Sequence, residues 1–226
     1  SADWYDIRIK YAIIAPDLQE IVNACYDLET FPNQFCDLFE RDANPASPTF
    51  GGLATFRLQE LNFAAIETKG VDYQVRYQFD LPSVPGDMTV GIIGNYTDRL
   101  DRFEDPLNPT VVNPELKENG QAAHSFNLNG TYRVGGLTVN WQSQYLGNIL
   151  QFAGASLQIE NADQFENAFA GDTWRHDLSA VYEISESVQI FGGVNNLLDR
   201  NPIQSSATYP VGILGRQFFL GADVRF

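Results

Sequence analysis

Along most of this chain, apolar and polar side chains alternate with a period of two. In the last segment Phe218, Leu220, Ala222, Val224 and Phe226 share one face. Gln217, Gly221, Asp223 and Arg225 share the other, with Phe219 as the exception. A strand sends successive side chains to opposite faces, so this pattern describes a sheet with one greasy and one wet side. Val71, Tyr73, Val75, Tyr77, Phe79 and Leu81 likewise oppose Asp72, Gln74, Arg76, Gln78 and Asp80. Phe126, Leu128, Tyr132 and Val134 oppose Asn127, Asn129, Thr131 and Arg133, and Leu137, Val139, Trp141 and Tyr145 oppose Thr138, Asn140, Gln142 and Gln144. Leu178, Ala180, Tyr182 and Ile184 oppose Asp177, Ser179 and Glu183, and Tyr5, Ile7, Ile9 and Tyr11 oppose Asp6, Arg8 and Lys10.

The alternation predicts about eight strands, at residues 2–14, 57–81, 88–102, 121–134, 137–147, 173–184, 188–198 and 211–226. Most reach the roughly nine to eleven residues that a tilted strand needs to cross a bilayer. Strands of soluble domains centre on about five or six. The expected fold class is therefore all-β, an antiparallel transmembrane β-barrel. The connections support it by alternating in length. Short links lie at 82–87, at Gly135-Gly136 and at 185–187, and long ones at 15–56, 103–120, 148–172 and 199–210. Outer-membrane barrels carry short turns on the inner side and long loops outside.

Composition narrows the partners. Fourteen Lys and Arg against twenty-nine Asp and Glu give a net charge of −15. That balance excludes a nucleic-acid binder, which needs a basic patch, and a surface helix docked on anionic lipid. Ten Tyr and sixteen Phe exclude a disordered chain. No apolar run approaches the ~18 residues of a membrane-spanning helix, and no secretory signal opens the chain. The Ser1 start, at the beginning of a strand, reads as a mature product or a fragment. About −13 of the charge falls in segments 15–56, 98–118 and 160–172, so the acidity concentrates in the long loops. It serves solubility, or it holds divalent cations or discriminates against anionic ligands.

Catalytic and metal chemistry find little footing. Cys25 and Cys36 flank Phe31-Pro32-Asn33 without a Cys-x-x-Cys or a nearby His, so zinc is not expected. The pair reads as a disulfide in an oxidising compartment, with two free buried thiols as the other reading. His124 and His176 stand at strand mouths, where rim hydrogen bonding is role enough. No nucleophile elbow, phosphate loop or dinucleotide fingerprint occurs, and no cofactor is expected. The acids of Asp98-Arg99-Leu100-Asp101-Arg102-Phe103-Glu104-Asp105 lack calcium-loop spacing and read as a solvated loop. Trp4, Tyr5, Trp141, Tyr145, Trp174, Tyr182 and Phe226 read as interface anchors, whose amphipathic rings settle at headgroup level.

Several stretches resemble one family. Asn62 to Tyr73, with Gly70-Val71-Asp72, resembles a barrel strand of TonB-dependent outer-membrane receptors. Phe191-Gly192-Gly193-Val194-Asn195-Asn196-Leu197-Leu198-Asp199-Arg200-Asn201-Pro202 resembles their penultimate strand. Tyr209-Pro210 and Gly215-Arg216-Gln217-Phe218-Phe219 resemble the approach to their last strand. Asp3 to Ile9 is similar to an earlier strand, and the Cys25–Cys36 loop to a cysteine pair of a proteobacterial subset. Gly221-Ala222-Asp223-Val224-Arg225-Phe226 resembles the terminal strand that the barrel-assembly machinery recognises, which makes Gly221, Val224 and Phe226 the expected assembly signal.

The resemblance implies that residues 1–226 are the last eight or so strands of a 22-stranded barrel in the bacterial outer membrane. It implies no plug domain in this chain, and the rest of the receptor as further polypeptide or a separate chain. The implied function is TonB-driven import of a scarce nutrient: a ferric siderophore, haem, cobalamin or an oligosaccharide. The implied partners are the remainder of the receptor, TonB acting through the plug, the barrel-assembly machinery, and outer-membrane lipid with lipopolysaccharide. The other readings are an autonomous eight-stranded barrel with a structural or adhesive role, and a secreted all-β enzyme or lectin.

Overall fold

The computed structural model describes residues 1–118, 121–150, 169–202 and 211–225. Long strands dominate: β1 (Ala2–Ile14), β4 (Leu61–Asp80), β5 (Asp87–Phe103), β7 (His124–Val134), β8 (Leu137–Leu146), β11 (Thr173–Ser185), β12 (Val188–Asn195) and β13 (Gln217–Val224). Shorter elements fill the connections. These are helix α1 (Leu18–Asp27), strands β2 (Phe39–Arg41) and β3 (Leu53–Phe56), and the two-residue strands β6 (Asn113–Pro114), β9 (Ile149–Leu150) and β10 (Phe169–Ala170). The long strands form one sheet in the order β1-β4-β5-β7-β8-β11-β12-β13, with β6 beside β5.

Every long strand thus pairs with its neighbour in sequence, and each pairing with a resolved register is antiparallel. This meander needs only hairpin links, and two are tight. Val134 and Leu137 are joined by Gly135-Gly136, with Gly135 at φ +54°, where a side chain would be strained. Ser185 and Val188 are joined by two residues. All eight expected strands occur, five of them shorter than expected and those at 87–103 and 173–185 slightly longer. The last begins at Gln217 rather than residue 211, and β12 stops at Asn195 because Asn196 turns left-handed, at φ +56°.

The register aligns the faces across the sheet. Asn127, Asn129, Thr131 and Arg133 of β7 pair with Gln144, Gln142, Asn140 and Thr138 of β8. Gln144, Gln142 and Asn140 pair in turn with Arg175, Asp177 and Ser179 of β11. On the reverse side Phe126, Tyr132 and Val134 meet Tyr145, Val139 and Leu137, and Trp141 meets Leu178. A slip of one residue in any strand would put its apolar set among the amides. Among the described residues nothing covers the apolar face: Trp141, Leu178, Ile190, Phe218 and Leu220 are all exposed, Leu220 at 88 %. No described helix is long and apolar enough to cross a membrane.

The chain divides into two units, one of Ser1–Asp6, Lys69–Arg99 and Glu115–Phe226, the other of Ile7–Thr68 and Leu100–Pro114. The first carries most of the two-faced sheet. The second has its own core, where Ile21, Ala24, Cys25, Phe35, Leu38, Phe39 and Leu61 are buried together. The connection at 15–56 is therefore folded, not an open loop. Its helix starts with a capping box: the Glu20 N–H donates to Asp17 Oδ1 (2.8 Å), and the Asp17 N–H donates to Glu20 Oε2 (2.8 Å). Ile21, Ala24 and Cys25 then fall on one buried side.

The two faces predict different tolerance to charge. In the membrane-inserted barrel, Leu178→Arg on the apolar face should cost about 2–4 kcal/mol, and Ser179→Arg on the other face less than about 1 kcal/mol. Urea titration of vesicle-inserted protein, followed by Trp fluorescence, measures both.

Candidate functional site

The polar face is built almost entirely of amides, hydroxyls and paired charges. Thr131 Oγ1 donates to Asn140 Oδ1 (2.9 Å) across the β7–β8 ladder. Arg133 faces Asp87 (3.7 Å), and Arg175 holds Asp177 (3.0 Å). Asn95 Nδ2 donates to Asp72 Oδ1 and to Tyr5 Oη (3.1 Å). Three atoms of this wall, Thr89 Oγ1, Asn127 Oδ1 and Gln144 Oε1, are buried without a hydrogen-bond partner. Such a surface suits contact with water or with a polar polypeptide, not with hydrocarbon.

The apolar face carries an aromatic band towards the long connections. Phe126 stacks on Tyr145 (4.7 Å), and Trp174 sits 4.9 Å from Tyr145 and edge-on to Phe126 (5.4 Å). His124 lies in the same cluster, 5.2 Å from Phe126 and 6.0 Å from Tyr96, and forms a 2.8 Å hydrogen bond with Tyr73 Oη. His176 stacks on both Trp141 and Trp174, at 6.1 and 5.9 Å. Both histidines thus belong to an aromatic girdle, and Tyr73, Tyr96 and Phe126 join it beyond the anchors read from the sequence. Tyr5 does not belong there. Its hydroxyl meets Asn95 and Thr97 on the polar side, because the alternation of β1 points it inward. Trp4 is exposed, and Phe226 lies outside the described residues.

The girdle spacing matches a bilayer. Trp174 and Tyr182 stand on one face of β11, eight residues apart. At about 3.4 Å per residue they are ~27 Å apart along the strand. A tilt of ~40° leaves about 21 Å of height, close to the ~25 Å apolar band of outer-membrane barrels.

On the long-connection side, Asn196 ties three segments together. Its N–H donates to Asp177 Oδ1 (2.7 Å), its Nδ2 to the Arg200 carbonyl (2.9 Å), and its Oδ1 accepts from the Arg200 N–H (2.9 Å). Asp199 Oδ1 accepts from the Arg216 N–H (2.9 Å), with the guanidinium 3.6 Å from its other oxygen. The Asn-Leu-Leu-Asp stretch is therefore a side-chain-locked turn joining β11, β12 and the approach to β13. The acids at 98–105 are also structured, since β5 continues to Phe103. Asp98 pairs with Lys69 (3.6 Å), and Asp105 accepts from the Leu107 and Asn108 N–H groups. The Asn108 amide holds the Asp105 carboxyl below the usual range.

In the second unit Cys25 and Cys36 form a disulfide. Asn33 donates to the carbonyls of Ala24 (2.9 Å), just before the bridged segment, and of Cys25 (3.3 Å) and Thr30 (2.8 Å) within it. Tyr26 is held by Arg41, whose Nε donates to the hydroxyl (2.9 Å) while the guanidinium covers the ring at 5.3 Å. Nearby Asp42 receives the Asn44 N–H (2.9 Å) and the Thr49 hydroxyl (2.8 Å). Its pKa is lowered by the Ser47 hydroxyl first, then by Asn44 and Thr49.

A long antiparallel wall with one apolar, girdled face and one polar face is the wall of an outer-membrane β-barrel. The chain belongs to the TonB-dependent receptor β-barrel family, whose model matches residues 1–197. That places it in the bacterial outer membrane. Three solved receptors share the fold. A point mutant of the ferric enterobactin receptor PfeA of Pseudomonas aeruginosa, in complex with enterobactin, is 12 % identical with a TM-score of 0.60, and the match covers 100 % of this chain and 29 % of that one. The FrpB iron transporter of Neisseria meningitidis is 14 % identical with a TM-score of 0.55, over 100 % and 28 %. FpvA of Pseudomonas aeruginosa, bound to heterologous pyoverdines, is 14 % identical with a TM-score of 0.52, over 98 % and 24 %. This chain thus spans less than a third of those receptors. No curated protein sequence matches it.

Two predictions concern the second unit. The bridge closes a loop of sequence separation 11, worth about 3 kcal/mol by loop-closure entropy. Replacing Cys25 and Cys36 with Ser should therefore speed amide exchange in α1 about 100-fold, with β7 and β8 unchanged. Because Asp42 has a lower pKa folded than unfolded, its stabilisation holds above the ordinary value of about 3.9 and is lost as pH falls through the lower folded value. Hydrogen exchange at Asn44 and Thr49, corrected for intrinsic rates, should rise over that acidic window and be pH-independent there in Asp42→Ala.

Proposed function

We propose that residues 1–226 form the C-terminal wall of an outer-membrane receptor that actively imports a scarce nutrient. The observation that carries this reading is one continuous register, in which a lipid-type face backs a polar lumenal face across a chain of the TonB-dependent receptor family. The substrate belongs to the class of ferric siderophores, haem, cobalamin or oligosaccharides. The three related receptors, solved with enterobactin, with pyoverdines, or described as an iron transporter, favour the iron-chelate branch. The acidic outer connections weigh against a strongly anionic chelate.

The chemistry is binding and gating, without bond making. Outer connections, stiffened by the Cys25–Cys36 bridge and the Asn196 turn, present the capture surface. A plug on polypeptide outside this chain closes the lumen, and its movement under TonB tension opens a path along the amide wall. The amides and hydroxyls offer many weak, uncharged contacts, so a hydrated solute is passed along and not trapped. Gly221 and Val224, with Phe226 beyond the described residues, serve as the signal for the barrel-assembly machinery. Outer-membrane lipid and lipopolysaccharide surround the girdle.

Uptake assays on the intact receptor test this reading. Cells expressing it take up one member of a labelled panel of ferric siderophores, haem, cobalamin and oligosaccharides. Deleting TonB should abolish accumulation and leave surface binding within about two-fold. Accumulation that persists without TonB would refute active transport by this receptor.

A further inference from the structure

Phe219 breaks the alternation of the last strand, and the register shows that it has a companion. Gly193 of β12 pairs with Phe219 of β13, and Phe191 pairs with Gly221, so both rings lie on the polar face. A Cβ on Gly193 would come within 2.6 Å of Phe219 Cζ, and one on Gly221 would collide with the Phe191 ring. Each ring therefore lies flat over the glycine of the neighbouring strand, an aromatic-over-glycine arrangement that fixes its position. That explains the glycines but leaves the rings open: Phe191 is 37 % and Phe219 41 % exposed. Val181 of β11 pairs with Phe191 and extends the patch. Around it the same face carries Ser179, Gln189, Asn195 and Gln217. Lipid cannot cover the patch, because the lipid side of β12 and β13 is the opposite one, with Ile190, Phe218 and Leu220.

We propose that Val181, Phe191 and Phe219 form an apolar seat for a side chain of the polypeptide that fills the lumen, contributed by the part of the receptor outside this chain. The inference rests on the reading of the chain as one wall of a plugged receptor. The occupant follows from three points. The patch faces the lumen, its rings are immobilised in advance so that binding orders little, and this chain covers only 29 % of a receptor such as PfeA, which leaves ample polypeptide to occupy the interior. Flat ring faces suit an aliphatic side chain or the edge of another aromatic. The seat adds one apolar contact to an interface otherwise made of amides.

Photocrosslinking in the intact receptor tests the seat. p-Benzoylphenylalanine replaces Phe219, in parallel Phe191, and in a third variant the wall residue Asn129. Heat-modifiable migration verifies folding, and mass spectrometry identifies adducts after irradiation of outer membranes. The expected result is a mass-shifted peptide from outside this chain, attached through an apolar residue, at Phe219 or Phe191. Adducts to lipid or lipopolysaccharide alone, to barrel strands alone, or none at both Phe positions, while Asn129 captures a lumenal peptide, would overturn the seat and leave the plugged-receptor reading intact. Failure of all three positions to capture lumenal polypeptide would overturn both.

Discussion

Hydrocarbon offers no partner to a peptide N–H or C=O, and this requirement governs the fold. Each unsatisfied backbone group in a bilayer costs several kcal/mol, so every strand must find its ladder in a neighbour. The antiparallel meander does this between strands adjacent along the sheet path, with two-residue links at Gly135-Gly136 and between β11 and β12 and longer connections elsewhere. Side chains follow from the ladder. Once β7, β8 and β11 are locked in register, Asn129, Gln142 and Asp177 must share one face, and Gly130, Trp141 and Leu178 the other. The amphipathic wall is thus a consequence of backbone pairing, and the sequence has only to agree with it.

The strands and their faces were legible because period two is a strong signal over ten or more residues. Hydrogen-bond geometry across strands was not legible. The sequence could not show that His124 would meet Tyr73, or that His176 would lie against two indoles, since those contacts depend on register. Tyr5 misled for a related reason. Near the start of β1 an apolar stripe does not mean a lipid-facing stripe, and the ring turns to Asn95 instead. The helix in the first long connection did carry a readable signature, Asp17 followed by Glu20 and then Ile21, Ala24 and Cys25. It was masked by the surrounding acids and by a segment length that suggested an open loop.

The second unit shows how a long connection becomes a folded object. Ten residues of helix cannot hold themselves together in water. Here a half-buried disulfide, the Asn33 amide bridging three carbonyls, and a small core around Ile21, Phe35 and Leu38 supply what helix propensity lacks. The sheet gains its stability from lipid and backbone pairing, whereas this unit relies on water-driven burial. The two parts of one chain are therefore stabilised by different solvents.

The Asn196 turn has an evolutionary corollary. Because Asp177, Arg200 and Asp199 fasten the strand ends through side-chain and main-chain hydrogen bonds, the segment beyond them starts and finishes at anchored points. Insertions or wholesale replacement there leave the ladder below undisturbed. A lineage can then vary that segment while inheriting the same transmembrane scaffold.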